Sequence, residues 1–147
     1  MANSNQNIST PWSFFHAVER YYDIQFNYDI AADAKNTKCS RFLSENDNSL
    51  ERDWPLSSWC WVNPPFRHVG KWIQKCKEQS DKGCKIISVW PLSGDLNAID
   101  AWKESRVTVV HGRVWPEVRG VMLCEWVAGL PVVHGARWDK KELVTIW

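Results

Sequence analysis

The tetrapeptide Asn63-Pro64-Pro65-Phe66 carries the groups in this sequence that are best suited to chemistry. The amide oxygen of Asn63 and the carbonyl of Pro64 can accept the two hydrogens of an amine whose lone pair is delocalised into a ring. The prolines stiffen the backbone so that this carbonyl points outward, and the flat ring of Phe66 can stack on the ring that bears the amine. The same tetrapeptide also fits an ordinary turn that ends a strand.

The elements on either side place this tetrapeptide at the tip of a strand. Trp59–Val62 is a short apolar run, and two prolines cannot extend a central strand because they lack an amide donor. A helix is predicted to follow and to end at Lys82-Gly83, because its apolar residues recur with helical spacing. Its apolar face is predicted to comprise Val69, Trp72, Ile73 and Cys76, and its solvent face Lys71, Lys75, Glu78 and Gln79.

The rest of the chain alternates between strand and helix patterns. Ser9-Thr10-Pro11 predicts the start of a helix, with a hydroxyl as its cap and proline at an early helical position. Ile24–Ile30 alternates with period two, which is typical of a strand, whereas Ala31–Asp53 is polar and is predicted to be loop with a short helix. The other predicted elements are a helix over Asp95–Glu104 and strands over Cys84–Trp90, Arg106–Val110, Val121–Val127 and Glu142–Ile146.

This alternation predicts an α/β fold of three layers, with a largely parallel sheet and antiparallel strands near the C-terminus. The length of 147 residues is typical of one domain, so residues 1–147 are predicted to form a single domain. Ligands of such sheets bind at the carboxyl ends of the strands. The tetrapeptide Asn63–Phe66 lies at such an end.

Composition excludes several classes of protein. A hydrophobic content of 44% and a mean hydropathy of −0.42 indicate a globular rather than a disordered chain. No apolar stretch approaches the roughly 18 residues of a membrane span, and no signal-peptide pattern is present, so a cytoplasmic protein is expected. Neither a disulfide framework nor a metal site is expected, because the cysteines and histidines lack close spacing. They are Cys39, Cys60, Cys76, Cys84, Cys124, His16, His68, His111 and His134.

Charge and aromatic content are each compatible with two interpretations. The net charge is only +1, whereas simple nucleic-acid-binding proteins carry a strong basic excess, so a DNA contact would need a local patch. The candidate patches are Lys71, Lys75, Lys77, Lys82 and Lys85, which fit a solvated helix face equally well, and Arg137, Lys140 and Lys141. Most of the 11 tryptophans are predicted to pack in the core, and Trp138 and Trp147 are the better candidates for exposed stacking contacts.

From Ser9 to Val127 the chain resembles the small, phage-type DNA N6-adenine methyltransferases of the Dam family. Enzymes that methylate exocyclic amines use the pattern Asp/Asn/Ser-Pro-Pro-Tyr/Phe/Trp at a strand end, and Asn63–Phe66 matches it. The other matching blocks follow in the order of the family. They are Thr10-Pro11-Trp12, Phe26–Ala32, Asn36–Cys39, Leu50–Trp54, Trp72-Ile73, Trp90-Pro91-Leu92 and His111–Trp115.

The resemblance implies a Rossmann-like methyltransferase fold and the transfer of a methyl group from S-adenosylmethionine to N6 of adenine in double-stranded DNA. The target base would be flipped out of the duplex. A bacteriophage origin, action in the cytoplasm of a bacterial host and protection of DNA against restriction are implied as well. By the same resemblance, the catalytic loop would be Asn63, Pro64, Pro65 and Phe66, and the cofactor would be bound by Thr10, Pro11, Trp12, Asp29, Ala31 and Ala32. Arg113 would contact phosphate, the cofactor or a nearby loop.

Departures from the family pattern keep other functions open. Ala31-Ala32-Asp33 stands where many methyltransferases have a glycine-rich turn. Asn63 follows Asp29 by only 34 positions, which leaves little room for a separate strand bearing the acid that binds ribose, and no target-recognition segment is evident. One alternative is a catalytically inactive protein of this fold that binds DNA or a host protein. Another is a methyltransferase for a different amine, such as a glutamine side chain or an RNA base.

Overall fold

The computed structural model of the chain has a mixed sheet with helices, as the α/β prediction requires. It describes residues 9–56, 58–65, 67–91, 101, 103–110, 114–115, 120–129 and 136–138, the last three by their backbone alone. The main elements in this part of the chain are α1 Trp12–Tyr22, β1 Phe26–Asp29, β2 Arg41–Phe42, β3 Trp59–Val62, α2 Val69–Asp81, β4 Lys85–Pro91, β5 Arg106–Val110, β6 Val121–Trp126 and β7 Ala136–Trp138.

The described strands form one sheet in the order β2-β1-β3-β4-β6-β5-β7. The neighbours from β2 to β4 pair in parallel. Strand β6 runs antiparallel to both β4 and β5, and β7 is parallel to β5. The prediction of antiparallel strands near the C-terminus is therefore confirmed, because β6 pairs in antiparallel orientation with β4 on one side and with β5 on the other.

The order of the strands changes direction at β1. The chain passes from β1 to β2, which pairs with one edge of β1, and then crosses to β3, which pairs with the other edge of β1. In an open α/β sheet such a reversal leaves a crevice at the carboxyl ends of the two central strands, because the connections leave them in opposite directions. Here those ends are Asp29 of β1 and Val62 of β3.

The two helices belong to two separate apolar clusters. Successive side chains of a strand point to opposite faces of the sheet, and in β3 the side chains of Cys60 and Val62 pack in the cluster of Ile73 on α2. Trp61 packs in the other cluster, with Phe14 and Phe15 of α1. Edge-to-face contacts to the Trp61 ring, at centroid distances of 6.4 Å from Phe14 and 5.6 Å from Phe15, join the start of α1 to β3.

Helix α1 begins as the sequence predicts but without the predicted cap. Pro11 is its N-cap residue, in extended conformation with φ −60° and ψ 137°, and no side chain caps the helix. The hydroxyl of Thr10 instead accepts a hydrogen bond from Asn63. The prediction of a hydroxyl cap is therefore wrong, because a partner distant in sequence binds the hydroxyl.

Helix α2 ends at Asp81, followed by Lys82 as its C-cap, as predicted. Gly83 then adopts φ 112°, a left-handed conformation that L side chains rarely adopt. The predicted solvent face of α2 is wrong at Lys75 and Gln79, which are both buried. The polar side chain of Gln79 can be buried because its amide oxygen accepts a hydrogen bond of 2.8 Å from the backbone amide of Trp54.

The segment Ala31–Asp53 contains more regular structure than predicted. Besides β2 it has two single turns of 3-10 helix, Glu45–Asp47 and Ser49–Glu51. Ser44 and Asp47 form a reciprocal capping box at the first turn. The 34 positions between Asp29 and Asn63, which were expected to leave little room for a separate strand, do accommodate β2, because a strand of two residues is enough to extend the sheet beside β1.

The prediction that most tryptophans pack in the core is confirmed for the described residues, in which Trp54, Trp61 and Trp126 are among the buried ones. All five cysteines are buried and free. None of the helices among the described residues is long and apolar enough to span a membrane.

Some predictions concern residues outside the described part of the chain. These are most of the predicted helix Asp95–Glu104, all of the predicted strand Glu142–Ile146, the residues Lys140, Lys141 and Trp147, and the side chains of Arg137 and Trp138.

Candidate functional site

A cavity of about 450 Å³ lies at the carboxyl ends of β1, β2 and β3. Backbone hydrogen bonds shape its floor, since the amide of Ile30 donates to the carbonyl of Trp61 and the amide of Leu43 donates to that of Asp29, at 3.0 and 2.9 Å. The residues after β1, β2 and β3 therefore meet at one edge of the sheet. The lining residues are Ser9, Thr10, Asp29, Ile30, Ala31, Ala32, Asp33, Asn36, Lys38, Leu43, Ser44, Glu45, Asn48, Ser49, Leu50, Trp61, Asn63, Pro65, Arg67, His68 and Trp72.

Asp29 is a buried carboxylate in the wall of this cavity. Its side chain accepts a hydrogen bond from the backbone amide of Lys38 at Oδ2 (3.0 Å), whereas Oδ1 has no hydrogen-bond partner among the described residues. Burial raises the pKa of Asp29 from its ordinary value of 3.8 to about 6, and the backbone amides of Lys38 and Ala31 and the ammonium group of Lys38 offset this rise only in part. A buried acceptor of this kind is suited to a cationic ligand that supplies the missing donor.

Lys38 lines the same cavity, and its ammonium group makes two contacts. Its ammonium group lies 4.5 Å from the centroid of the Trp12 ring and donates a hydrogen bond of 3.1 Å to the carbonyl of Asn36. Burial lowers the pKa of Lys38, and the nearby Asp29 carboxylate opposes that shift. Trp12 is half exposed, so this cation–π pair forms part of the rim beside Thr10.

The loop after β3 brings its polar groups to the opposite wall. Asn63 is half-buried and its Nδ2 donates a hydrogen bond of 2.7 Å to the hydroxyl of Thr10. Pro64 is buried, and Pro65 lines the cavity. This loop therefore presents an amide side chain next to the cavity that contains Asp29.

The cavity extends to residues that sequence reasoning missed. Ser44 and Glu45 follow β2 and line the cavity, so an acidic residue lies shortly after this strand, at the edge of the sheet that it shares with Asp29. Strand β2 has only two residues, too few for a detectable alternation, although the apolar Phe42-Leu43 before Ser44 is a weak signal. Arg67 and His68, immediately after the tetrapeptide, are exposed at the cavity wall and could have been found from their position alone.

A chain of buried hydrogen bonds supports the 3-10 turns that form one wall. The hydroxyl of Ser49 donates to the carbonyl of Ile30 at 2.7 Å, and the indole of Trp54 donates to the carbonyl of Ser49 at 2.9 Å. Gln79 of α2 accepts from the Trp54 amide and donates to Asp53 at 2.9 Å. Helix α2 therefore fixes a segment that is distant from it in sequence.

The structure brings together most of the residues predicted for the site. Thr10, Asp29, Ala31, Ala32, Asn63 and Pro65 line the one cavity. Pro11 and Trp12 adjoin Thr10 but do not line the cavity, and Pro64 is buried beside it. Phe66 and Arg113 lie outside the described residues.

The lysines of the first predicted patch are largely neutralised by acidic neighbours. Lys75 pairs with Glu78 at 3.3 Å, Lys77 with Asp81 at 3.0 Å, and Lys82 with both Asp53 and Glu78. These ion pairs favour the interpretation as a solvated helix face for Lys77 and Lys82, whereas Lys75 is buried. Within the described ranges, no group of three His, Cys, Asp or Glu side chains is placed to hold a metal ion.

The chain is an α/β protein with a mixed sheet, and its cavity lies where open α/β sheets commonly bind their ligands, at a reversal of strand order. A family model described as DNA N-6-adenine-methyltransferase (Dam) matches residues 2–111, about three-quarters of the chain. The chain belongs to this family.

Two curated relatives are similar in sequence to part of this chain. A DNA N-6-adenine-methyltransferase of Haemophilus phage HP1 (strain HP1c1) is 36% identical over 72 residues, which cover 49% of this chain and 41% of the relative. A DNA N-6-adenine-methyltransferase of Escherichia phage T1 is 30% identical over 83 residues, which cover 56% of this chain and 34% of the relative. The similarity thus spans well under half of the length of either relative.

Proposed function

We propose that this protein transfers a methyl group from S-adenosylmethionine to N6 of adenine in double-stranded DNA. The observation that supports this best is that the Asn63 loop and the buried Asp29 carboxylate line one cavity. Membership of the Dam family and the names of both phage relatives agree with it. We further propose that residues 1–147 form a single domain with the three-layer, Rossmann-like methyltransferase fold, and that a phage protein of this kind acts in the cytoplasm of its bacterial host.

The polar groups of the cavity fit S-adenosylmethionine. When bound, this cofactor supplies a methyl group activated by a positively charged sulfur. The unsatisfied Oδ1 of Asp29 would accept from the α-ammonium group, Glu45 would accept from the ribose hydroxyls, and Leu50 offers apolar contact. Ala31 and Ala32 take the place of the usual glycine-rich turn, and their small side chains still line the cavity.

Asn63 and Pro64 would act on the adenine amine. The oxygen of the Asn63 side chain and the carbonyl of Pro64 accept its two hydrogens, which draws electron density onto N6 and favours tetrahedral geometry at that nitrogen. An amide is not basic, so these groups orient and polarise the amine without removing a proton. The proton left over after methyl transfer passes to solvent, and the rate depends chiefly on how well the amine and the methyl group are aligned.

Cationic side chains beside the cavity would meet the DNA backbone. Arg67 lines the cavity directly after the tetrapeptide, and Lys38 lines it at the Trp12 rim. Phosphate contacts supply much of the affinity of proteins for DNA and need no large net charge if they are local. A base flipped out of the duplex would enter between these groups.

The test is a comparison of Asn63→Ala with wild type, using labelled S-adenosylmethionine and duplex DNA that lacks N6-methyladenine. We expect label in N6-methyladenine after enzymatic digestion for wild type, none for Asn63→Ala, and unchanged incorporation for Asn27→Ala, an exposed asparagine of β1. A wild-type protein that binds DNA but shows no calorimetric response to S-adenosylmethionine would overturn the proposal in favour of an inactive binding protein. Parallel reactions offer RNA or a glutamine-containing protein in place of DNA, and label that appears only in these would favour another amine substrate.

A further inference from the structure

The loop of residues 31–38, which follows β1 at the cavity, uses most of its backbone amides for hydrogen bonds within the protein. The amides with a described acceptor are those of Ala32, Asp33, Lys35, Asn36, Thr37 and Lys38. Asp33 and Asn36, for example, each accept a hydrogen bond from the amide of the other, at 2.9 and 2.8 Å. A glycine-rich turn binds an anion through amides that point toward it. In this loop few amides remain for that purpose.

The side chain of Lys38 places a cation on the same wall of the cavity. The backbone amide of Lys38 donates to Oδ2 of Asp29 at 3.0 Å, so the two residues lie side by side. The ammonium group donates to the carbonyl of Asn36 at 3.1 Å and lies over the Trp12 ring, whereas Oδ1 of Asp29 has no partner among the described residues. An ammonium group has three hydrogens to donate, and the Asn36 carbonyl accepts one of them. A cation and an anion therefore adjoin each other at the cavity, and none of the described hydrogen bonds joins their charged groups.

Two adjacent charges of opposite sign suit a ligand that itself carries both signs. The methionine part of S-adenosylmethionine has an α-ammonium and an α-carboxylate group on one carbon atom. If Oδ1 of Asp29 accepts from the ammonium, the carboxylate lies next to Lys38.

A DNA phosphate fits this position less well than the cofactor does. It would bring a negative charge beside the Asp29 carboxylate with no cation of its own to offset the repulsion. Lys38 is also half-buried, and burial lowers the pKa of its ammonium group. An anion within the cavity would replace the water that this group has lost.

We propose that Lys38 binds the α-carboxylate of S-adenosylmethionine and forms, together with Asp29, a clamp for the zwitterionic end of the cofactor. This inference rests on the proposed function. It assigns Lys38 to the cofactor rather than to the DNA backbone. A lysine side chain thereby takes the role that free backbone amides have in a glycine-rich turn.

The test is a calorimetric comparison of two ligands at pH 8, S-adenosylmethionine and its decarboxylated analogue, which lacks the α-carboxylate. The proteins are wild type and Lys38→Met, in which an unbranched side chain carries no charge. For S-adenosylmethionine, we expect Lys38→Met to raise the Kd by about tenfold or more, as for the loss of a hydrogen bond between charged groups. For the analogue, the Kd should not rise, because this ligand has no group for Lys38 to bind.

Three further variants serve as controls for the charge of Lys38. Lys38→Gln provides a second uncharged side chain and should give the same pattern as Lys38→Met. Lys38→Arg keeps the charge and should retain most of the affinity for S-adenosylmethionine. Lys35→Met removes an exposed lysine of the same loop and should change neither Kd.

Two results would overturn the inference. An equal rise in Kd for both ligands would mean that Lys38 acts through the shape of the cavity and not on the carboxylate. An unchanged Kd for S-adenosylmethionine, with a smaller slope of DNA affinity against salt concentration, would assign Lys38 to a DNA phosphate.

These binding measurements need no DNA, so they separate the inference from the proposed function. If wild type shows the expected pattern with both ligands but methylates no DNA, the proposed function fails and the clamp stands. If wild type methylates DNA and Lys38→Met binds S-adenosylmethionine as wild type does, the clamp fails and the proposed function stands. If wild type does not bind S-adenosylmethionine, both fail.

Discussion

Replacing Asp29 by asparagine is expected to stabilise the protein in the absence of ligand and to weaken its binding of S-adenosylmethionine. Burial raises the pKa of Asp29 from 3.8 to about 6, so at pH 8 the folded protein contains a carboxylate in an environment that disfavours its charge. A rise of about two pH units corresponds to an upper limit of about 3 kcal/mol. Because the amide hydrogens of asparagine also lack acceptors there, we expect an increase in the free energy of unfolding of about 1–2 kcal/mol.

The dependence on pH gives the sign of the effect. Between pH 4 and 6 the folded protein holds a proton at Asp29 that the unfolded chain has already released. The stabilising contribution of this proton is fully present below the unfolded pKa of 3.8 and is lost as the pH rises through about 6. The wild type should therefore lose stability relative to Asp29→Asn across this range, and the difference between them should stay constant above it.

The assay is urea unfolding of wild type and Asp29→Asn at several pH values between 4.5 and 8, with no ligand present. At a chain length of about 150 residues, 1 kcal/mol corresponds to a shift in Tm of about 2–4 °C, so thermal unfolding provides a second measurement. Asp81→Asn removes an exposed carboxylate at the end of α2 and is the control, for which no gain is expected. Calorimetry should show that Asp29→Asn weakens the binding of S-adenosylmethionine by about tenfold to a hundredfold, the size of a hydrogen bond between charged groups.

Two outcomes would refute this reasoning about Asp29. If the stabilities of wild type and Asp29→Asn follow parallel curves from pH 4.5 to 8, the carboxylate does not titrate near pH 6 in the folded protein. If Asp29→Asn binds S-adenosylmethionine as wild type does, then the unsatisfied Oδ1 is not the partner of the ammonium group.

Two further predictions concern the support of the cavity and its contact with DNA. Gln79→Ala should lower the free energy of unfolding by about 2–3 kcal/mol, because the buried backbone amide of Trp54 loses its acceptor. Gln74→Ala, on the exposed face of the same helix, is the control and should change the free energy of unfolding little. Equal losses for the two variants in urea unfolding would contradict this prediction. Arg67→Ala should reduce the slope of DNA affinity against salt concentration by about one unit without altering calorimetric binding of S-adenosylmethionine. An unchanged slope, or the same change in Arg20→Ala on α1, would show that Arg67 makes no phosphate contact.

The local pattern of the sequence was sufficient to predict the elements that carry the site. Apolar runs that end in prolines, such as Trp59–Val62 before Pro64, identify a strand and its end wherever they occur, because proline cannot continue a ladder of hydrogen bonds. The helical spacing of Trp72, Ile73 and Cys76 predicted α2, because residues three and four positions apart lie on the same face of a helix. With the rule that ligands bind at the carboxyl ends of parallel strands, these patterns predicted that Asn63 lies at a ligand-binding edge of the sheet. Asp29 was assigned to the same site only by the resemblance to the Dam family.

The contacts that make this neighbourhood a site were decided by the tertiary structure. Strand β2 is too short for its own pattern, and it forms because the edge of β1 offers it hydrogen-bond partners, which brings Glu45 to the cavity. The hydroxyl of Thr10 and the amide of Asn63 meet only when the start of α1 packs against Trp61 of β3. The burial, pKa and hydrogen-bond partners of a side chain depend on groups that are distant along the chain. The sequence alone therefore determined which residues were available for chemistry. The fold determined how those residues are oriented and charged.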